Sequence, residues 1–358
     1  MAPQHLIHIL APSHEPRRRV RVALVMPVRN EKANVRSTLD AMFSSSRLPD
    51  EIIIADGMSS DETVAEIMRY ADRGIPLRVL PNPARYSGGG RNVGIRESNC
   101  EIILLADFGN VVDADWAEQM IRPFEERDDI DIVAGPHRPL VRSAFQHCMA
   151  SIQYYDEYSM KQFTSAQKIA QLPAVFTPGS ASLAVTRRMW EICAGYPEWL
   201  HRAQDKLFTR KARQLGARFA IAWCAHISHH MRGSAREVFM QFFSYGRGNG
   251  QSRYLDPRFL KLGAFYGMLS LLCGFALAGP QTPVLVTGIY LAYCYRYGLR
   301  KVIAIDGGLK QARYLRLVIQ VLLARDLGSL AGHVVGWTEW LLVPTFRRRF
   351  NAYMRPGP

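Results

Sequence analysis

Paired cysteines are missing from this chain of 358 residues. The six present (Cys100, Cys148, Cys193, Cys224, Cys273 and Cys294) are dispersed, with no C-x-x-C pair, which excludes a disulfide framework and leaves them as reduced core residues. A secretory start is also wanting: Leu6–Leu10 is too short for an apolar signal core, and no basic stretch precedes it. The soluble part is therefore expected to face a cytosol. Acidic residues are outnumbered, 31 against 45 basic, a net charge of +14 that favours a polyanionic partner. No basic helix interleaved with aromatics, of the kind that reads nucleic acid, accompanies that charge. Anionic lipid therefore outranks nucleic acid as the partner, and no nucleic acid is expected. Internal repeats and low-complexity tracts are absent too.

What is present from Val20 onward is alternation. Val20–Met26 reads as an apolar strand broken only by Arg21 and ended by Pro27. Helical spacing through Val35, Leu39 and Met42 follows, then the strand Glu51–Asp56. Ser59-Ser60-Asp61-Glu62 caps a helix expected over 63–71. A strand near 77–80 precedes the glycine-rich loop Gly88–Gly94, a helix over 91–97 and the strand Glu101–Asp107. Further strands are expected at 130–134 and 182–185, and helices at 190–194 and 204–215. Such alternation predicts an α/β fold, doubly wound, with a mostly parallel sheet covered by helices on both faces.

The composition changes near Phe259. Leu262–Tyr295 carries no charged residue, and Gly279-Pro280-Gln281-Thr282-Pro283 breaks it into arms of ~17 and ~14 residues. Each arm is short for a hydrocarbon core ~30 Å thick. Two further apolar stretches follow, 315–323 and 327–343, the second containing His333 and Glu339. A short transmembrane hairpin and helices lying in the interface both fit, with a buried helical subdomain as the soluble alternative. Lys261, Arg296, Arg300, Lys301 and the run Arg347-Arg348-Arg349 flank these segments and suit anionic lipid. The expected organisation is a basic leader (1–19), a catalytic or binding domain (20–255), a hydrophobic helical membrane-associated region (256–346) and a basic tail (347–358).

Two carboxylates, Asp56 and Asp107, close apolar strands about fifty residues apart, where open α/β sheets bind ligands. The glycine-rich segment between them lets backbone N–H groups meet a diphosphate at a helix start. Read alone, it is equally a flexible turn, and Asp56 equally caps its own turn. A dinucleotide fingerprint is disfavoured because the glycines do not follow the first strand.

Several motifs in order resemble the family-2 inverting glycosyltransferases of the GT-A fold, over roughly 20–255. They are Pro27-Val28-Arg29-Asn30-Glu31, Ala55-Asp56-Gly57-Met58-Ser59-Ser60-Asp61, Gly90-Arg91-Asn92-Val93-Gly94, Asp107-Phe108-Gly109 and Gln204-Asp205. The C-terminal part is similar to membrane-associated members of the exopolysaccharide, succinoglycan-type branch. The resemblance implies a nucleoside diphosphate sugar donor, UDP first. It places Pro27, Asn30, Glu31, Asp56, Gly90, Arg91, Asn92 and Asp107 on that donor, and Asp205 as the catalytic base toward an acceptor hydroxyl. It also implies Mg²⁺ or Mn²⁺ on Asp107, with His230 or else His229 as a further ligand. Gly109 stands where the family has a second aspartate, and Gln204 where it has glutamate.

His226, His229 and His230 form a cluster too poor in partners for zinc. Asp113 and Asp115 read as caps of a helix starting at Trp116. Arg247 and Arg253, in Tyr245-Gly246-Arg247-Gly248-Asn249-Gly250-Gln251-Ser252-Arg253, hold either phosphates of the donor or of a lipid-linked acceptor, or membrane headgroups. The expected protein is a transferase at the inner, cytoplasmic membrane, with its catalytic domain in the cytoplasm. It would act on a lipid-linked or saccharide hydroxyl. Two other classes compete: a non-catalytic sugar-nucleotide-binding scaffold, and a basic peripheral protein whose fold is incidental.

Overall fold

Four segments, three of them with an unbroken apolar core, lie side by side as parallel strands. They are β1 (Val22–Val28), β2 (Glu51–Asp56), β3 (Leu77–Pro81) and β4 (Ile102–Ala106). The structure is a computed structural model that describes residues 19–153, 169–171, 178–255, 257–276, 281–306 and 311–355. The expected leader, apart from Arg19, and Gly279-Pro280 of the expected break lie outside the described residues. The chain divides into two units: Met1–Arg138 with Gln162–His229 and Asn351–Pro358, and Pro139–Lys161 with His230–Phe350.

In the first unit β6 (Ile132–Ala134), β8 (Ile169–Gln171), β9 (Ser182–Thr186) and β10 (Phe219–Ala222) complete an eight-stranded sheet, in the order β3-β2-β1-β4-β9-β6-β10-β8. Only β9 and β8 run against the rest, so the sheet is mostly parallel as expected. β5 (Asn110–Val112), β11 (Ile227–His230) and β7 (His137–Leu140) make a small second sheet in the order β5-β11-β7. Burial on both faces explains the continuous apolar runs. Leu24, Met26, Ile52, Ile54 and Leu104 face one core with Val35, Leu39 and Trp116. Ala23, Val25, Ile53, Ile103 and Leu105 face another with Ile95, Trp190 and Phe208.

The helices among the described residues of this unit are α1 (Lys32–Phe43), α2 (Thr63–Met68), α3 (Ser87–Glu97), α4 (Trp116–Glu126), α6 (Arg187–Ile192) and α7 (Gln204–Gln214). Two local expectations change. Pro27 lies inside β1 rather than ending it, paired with Ala55 of β2. Pairing of β1 with β4 stops at Val25, so the missing proline N–H leaves no ladder bond unmade on that side. The glycine segment is not a loop, because α3 already begins at Ser87.

Those glycines let α3 lie against the sheet. A Cβ on Gly90 would stand 2.9 Å from Cβ of Pro27, and one on Gly94 would overlap Cγ1 of Val25. Gly94→Ala is expected to destabilise this unit by about 1–3 kcal/mol through overpacking. In a double-mutant cycle, Val25→Ala should offset part of that loss. Thermal melts of both single variants and the double check it, and strict additivity would remove the contact from the account.

The second unit is helical. It contains α5 (Ala144–Gln153), α8 (Ala235–Gln251), α9 (Pro257–Ala276), α10 (Thr282–Cys294), a π-helical turn (Tyr295–Leu299), α11 (Arg300–Asp306), α12 (Gln311–Leu342) and most of α13 (Pro344–Met354). The two apolar stretches expected at 315–323 and 327–343 are one helix. Its Arg325 and fully buried Asp326 pair with each other, and Asp326 also accepts from the hydroxyls of Tyr266 (3.1 Å) and Tyr293 (2.5 Å). Charge satisfied in this way no longer interrupts an apolar helix. The stretch Ala235–Gln251, which the sequence groups with the catalytic domain, packs here instead. Glycines on both helices bring the backbones of α8 and α12 into contact: a Cβ on Gly246 would lie 2.5 Å from the Ser329 carbonyl, and one on Gly250 2.5 Å from the Trp337 amide.

Candidate active site

The strand order itself marks a crevice. From β1 the chain proceeds outward to β2 and β3, and then returns to lay β4 on the other side of β1. This reversal is the switch point at whose carboxyl ends open sheets take ligands. Asp56 ends β2 and Asp107 follows β4, so they flank β1 at two strand spacings, about 10 Å.

Asp107 is half-exposed and accepts from Nη2 of Arg91 at 2.5 Å. Arg91 springs from the second turn of α3, its side chain buried and its guanidinium 5.7 Å from the ring centre of Tyr196. Tyr196 stacks on Phe208 (centroids 4.3 Å apart), and its hydroxyl shares a 3.0 Å hydrogen bond with Ser180. Burial, first, pushes the Tyr196 hydroxyl well above its usual pKa, with Arg91 opposing and Asp205 reinforcing the rise. Asp205 lies in the first turn of α7, partly exposed, with Oδ1 accepting from the Lys206 amide at 2.8 Å. A Cβ on Gly179 would be 3.4 Å from its Oδ2. Asp107, Arg91, Tyr196 and Asp205 thus form one connected wall.

Asn92 faces the other way and is committed to the protein. Its Oδ1 accepts from the Tyr196 amide (2.7 Å) and the Trp190 indole (3.0 Å), while Nδ2 donates to the Tyr196 carbonyl (2.9 Å) and Glu198 (2.8 Å). Gly90 is buried under Asn82 and Pro27. Gln204 donates to Ser87 Oγ and so joins the starts of α7 and α3.

At the end of β2, Asp56 accepts from the amide (3.1 Å) and hydroxyl (2.6 Å) of Ser59, closing its own turn. Asn30 adopts a left-handed backbone (φ 54°), and its Oδ1 accepts from the Ser60 amide at 2.8 Å, tying the ends of β1 and β2 together. Glu31 holds Asn34 at 2.6 Å, and both face Gly109, whose φ of 84° suits glycine. Asp113 takes Arg138 at 2.7 Å. Asp115 occupies the cap position of α4 without a side-chain cap bond, accepting instead from Gln119 (3.1 Å).

His229 pairs with Asn110 in the β5–β11 ladder, and its ring is 5.9 Å from that of His137. Burial lowers the His137 pKa, and the Asp107 charge partly offsets this. Strand alternation turns the exposed His230 to the opposite face from His229. Among the described residues no group of three or more His, Cys, Asp or Glu side chains could enclose a metal. One carboxylate suits only an ion held mainly by substrate phosphates and water, which is the habit of Mg²⁺.

Arg247 and Arg253 belong to the helical unit. Arg247 makes a two-pronged bond to Glu339 (2.9 and 2.5 Å), which also accepts from Gln251 (2.7 Å). Arg253 lies over the rings of Trp340 (4.9 Å) and Phe350 (5.8 Å). Sequence reasoning gave no role to His137 or Tyr353, whereas Ser180 and Tyr196 lie in segments (178–182 and 195–198) that resemble the family's acceptor-side strand and the turn after it.

Residues 23–193 match the family model Glycosyl transferase family 2. The O-antigen chain rhamnosyltransferase RfbN of Salmonella typhimurium is 25% identical over 250 residues, covering 67% of this chain and 76% of that protein. Glycosyltransferase AglE of Haloferax volcanii is 24% identical over 241 residues, 66% of this chain and 75% of its own. The solved mannosyltransferase PcManGT of Pyrobaculum calidifontis, in complex with GDP-Man and Mn²⁺, superposes with a TM-score of 0.61 at 17% identity and covers 90% of each chain. That likeness shows a shared GT-A-like α/β fold. The family model covers the sheet-bearing residues, just under half of the chain, and both relatives in sequence are glycosyltransferases by name.

Proposed function

We propose that this chain moves a sugar from a nucleoside diphosphate sugar, UDP-linked first, to a hydroxyl of a lipid-linked or saccharide acceptor, inverting the anomeric centre. The observation that carries the reading is the connected wall of Asp107, Arg91, Tyr196 and Asp205 beside the sheet's switch point. In this reaction Asp205 takes the acceptor hydroxyl proton as its oxygen bonds the anomeric carbon and the bond to the diphosphate breaks. No covalent intermediate is involved, so one base suffices. Asp56, Asn30 and Glu31 shape the nucleoside end, and Pro27, Gly90 and Asn92 hold the backbone on which Arg91 is set. A Mg²⁺ or Mn²⁺ ion would rest on Asp107, with His229 the histidine on that side, and would neutralise the departing diphosphate. The named activity of RfbN, on an O-antigen chain, supports cell-surface polysaccharide as the product class.

The helical unit would attach the protein to the cytoplasmic face of the inner membrane. Tyr314–Leu342 is long and apolar enough to cross a bilayer by length and composition. Leu271, Val284 and Leu342 are about seven-tenths exposed, while Arg347, Arg348 and Arg349 stand exposed beyond them. Apolar surface beside cations fits anionic headgroups.

The test incubates membranes carrying the protein, plus a lipid extract, with UDP- and GDP-sugars, with and without Mn²⁺ or Mg²⁺. Diphosphate release is expected from one donor and is expected to vanish in Asp107→Ala. Full activity in that variant would remove Asp107 from the donor site. Silence of the native chain across the panel would favour the scaffold.

A further inference from the structure

The last described residues return to the catalytic unit. Tyr353, near the end of α13, donates its hydroxyl to the Gly195 carbonyl at 2.7 Å, and the Lys211 ammonium lies 4.5 Å from the centre of its ring. Burial, first, holds that hydroxyl far above its usual pKa, so it remains a donor at any physiological pH. The carbonyl it meets opens the segment that forms the acceptor side of the wall. Gly195 has a φ of 74°, and a Cβ there would stand 2.7 Å from Asn92 Oδ1. The next residue, Tyr196, is gripped by Asn92 through both its amide and its carbonyl. The segment is therefore held from two sides: Asn92 from α3, Tyr353 from the end of the chain. Between those grips lies the ring that stands beside Arg91, and whose hydroxyl meets Ser180 next to Asp205.

We propose that Tyr353 is a positioning residue that fixes the 194–200 segment, and through Tyr196 the acceptor side of the site, by its bond to the Gly195 carbonyl. The proposal rests on the transferase reading for its catalytic consequence, and on the contacts alone for its structural one. Tyr353 acts on the site through this segment, by its bond to Gly195. Losing its bond should loosen the surface on which an acceptor hydroxyl is brought to Asp205, and leave the nucleotide end, formed by Asn30, Asp56 and Asp107, as it was.

Tyr353→Phe in the full chain keeps the ring over Lys211 and removes only the hydroxyl. Two readouts are taken on this variant and the native protein in the same membranes. The first is amide hydrogen exchange by mass spectrometry. Faster exchange confined to peptides covering 194–200 is expected, and an unchanged rate there overturns the proposal whether or not any enzyme activity is found. The second uses the donor that the nucleotide-sugar panel identifies, with transfer to the lipid extract measured beside release to water. The extract concentration for half-maximal transfer should rise about two- to tenfold, the range one neutral hydrogen bond supports. Half-saturation by donor and release to water should not move. An equal loss in both reactions, or none in transfer, overturns the positioning role. Faster exchange at 194–200 with a native protein that turns over no donor would leave the strap standing and sink the transferase reading instead.

Discussion

Asp205→Asn is expected to lower sugar transfer by about 10²- to 10⁴-fold, the usual range for removing a general base, while nucleotide binding stays as it was. The substitution is nearly isosteric, and the fold around it asks little of the charge. Asp205 Oδ1 accepts from the Lys206 amide, which an asparagine carbonyl accepts equally, and Thr209 bonds the Asp205 backbone rather than its side chain. What disappears is the ability to take a proton from an acceptor hydroxyl. Initial rates with the identified donor, set beside titration of the free nucleotide, separate the two effects. A variant that binds and transfers like the native protein would end the assignment of Asp205 as base. Nucleotide binding with no donor turnover in the native protein itself would favour the scaffold, a reading to which Gly109 and Gln204 give some footing.

Gly332→Ala should damage the helical unit as severely as any single methyl can. A Cβ at 332 would overlap the Phe243 carbonyl and stand 2.9 Å from the Arg247 amide, both backbone atoms of α8. A side chain can rotate away from such a contact; a helix backbone can only move bodily. Gly328 and Gly336 make the same approach one turn to either side, so displacement at 332 opens the whole seam, including the Arg247–Glu339 bond. A loss of about 3 kcal/mol is expected, at the upper end for overpacking, or a melting temperature lower by roughly 6–12 °C. Gly267→Ala supplies the control of opposite sign. Nothing lies within 4 Å of a Cβ at that position in α9, so the better helix former should gain up to about 1 kcal/mol. Melting of both variants in the same membrane mimetic checks the pair, and equal behaviour would mean the backbone contact does not govern packing.

The order of strands and helices, and the carboxylates at two strand ends, were legible because they follow from short-range pattern. An apolar run of five or six residues reports burial on both faces, and an aspartate after it reports the carboxyl end of a parallel strand. The helix start at Ser87 was missed because three glycines read locally as a turn; only contact with Pro27 and Val25 shows why side chains are excluded there. The break expected within the 315–343 region was likewise local reasoning. Arg325 and Asp326 interrupt an apolar run in sequence, yet tyrosines from α9 and α10 meet the aspartate and the helix continues.

By itself, then, the sequence determined the class of fold and the placing of two carboxylates at strand ends, because periodicity and strand ends act over a few residues. The tertiary structure alone decided which of them meet: Arg91 on Asp107, Asn92 on Tyr196, Arg247 on Glu339, Tyr353 on Gly195. All but the first of these pairs join distant parts of the chain, and their choice depends on backbone approach and burial, which no window of neighbouring residues records.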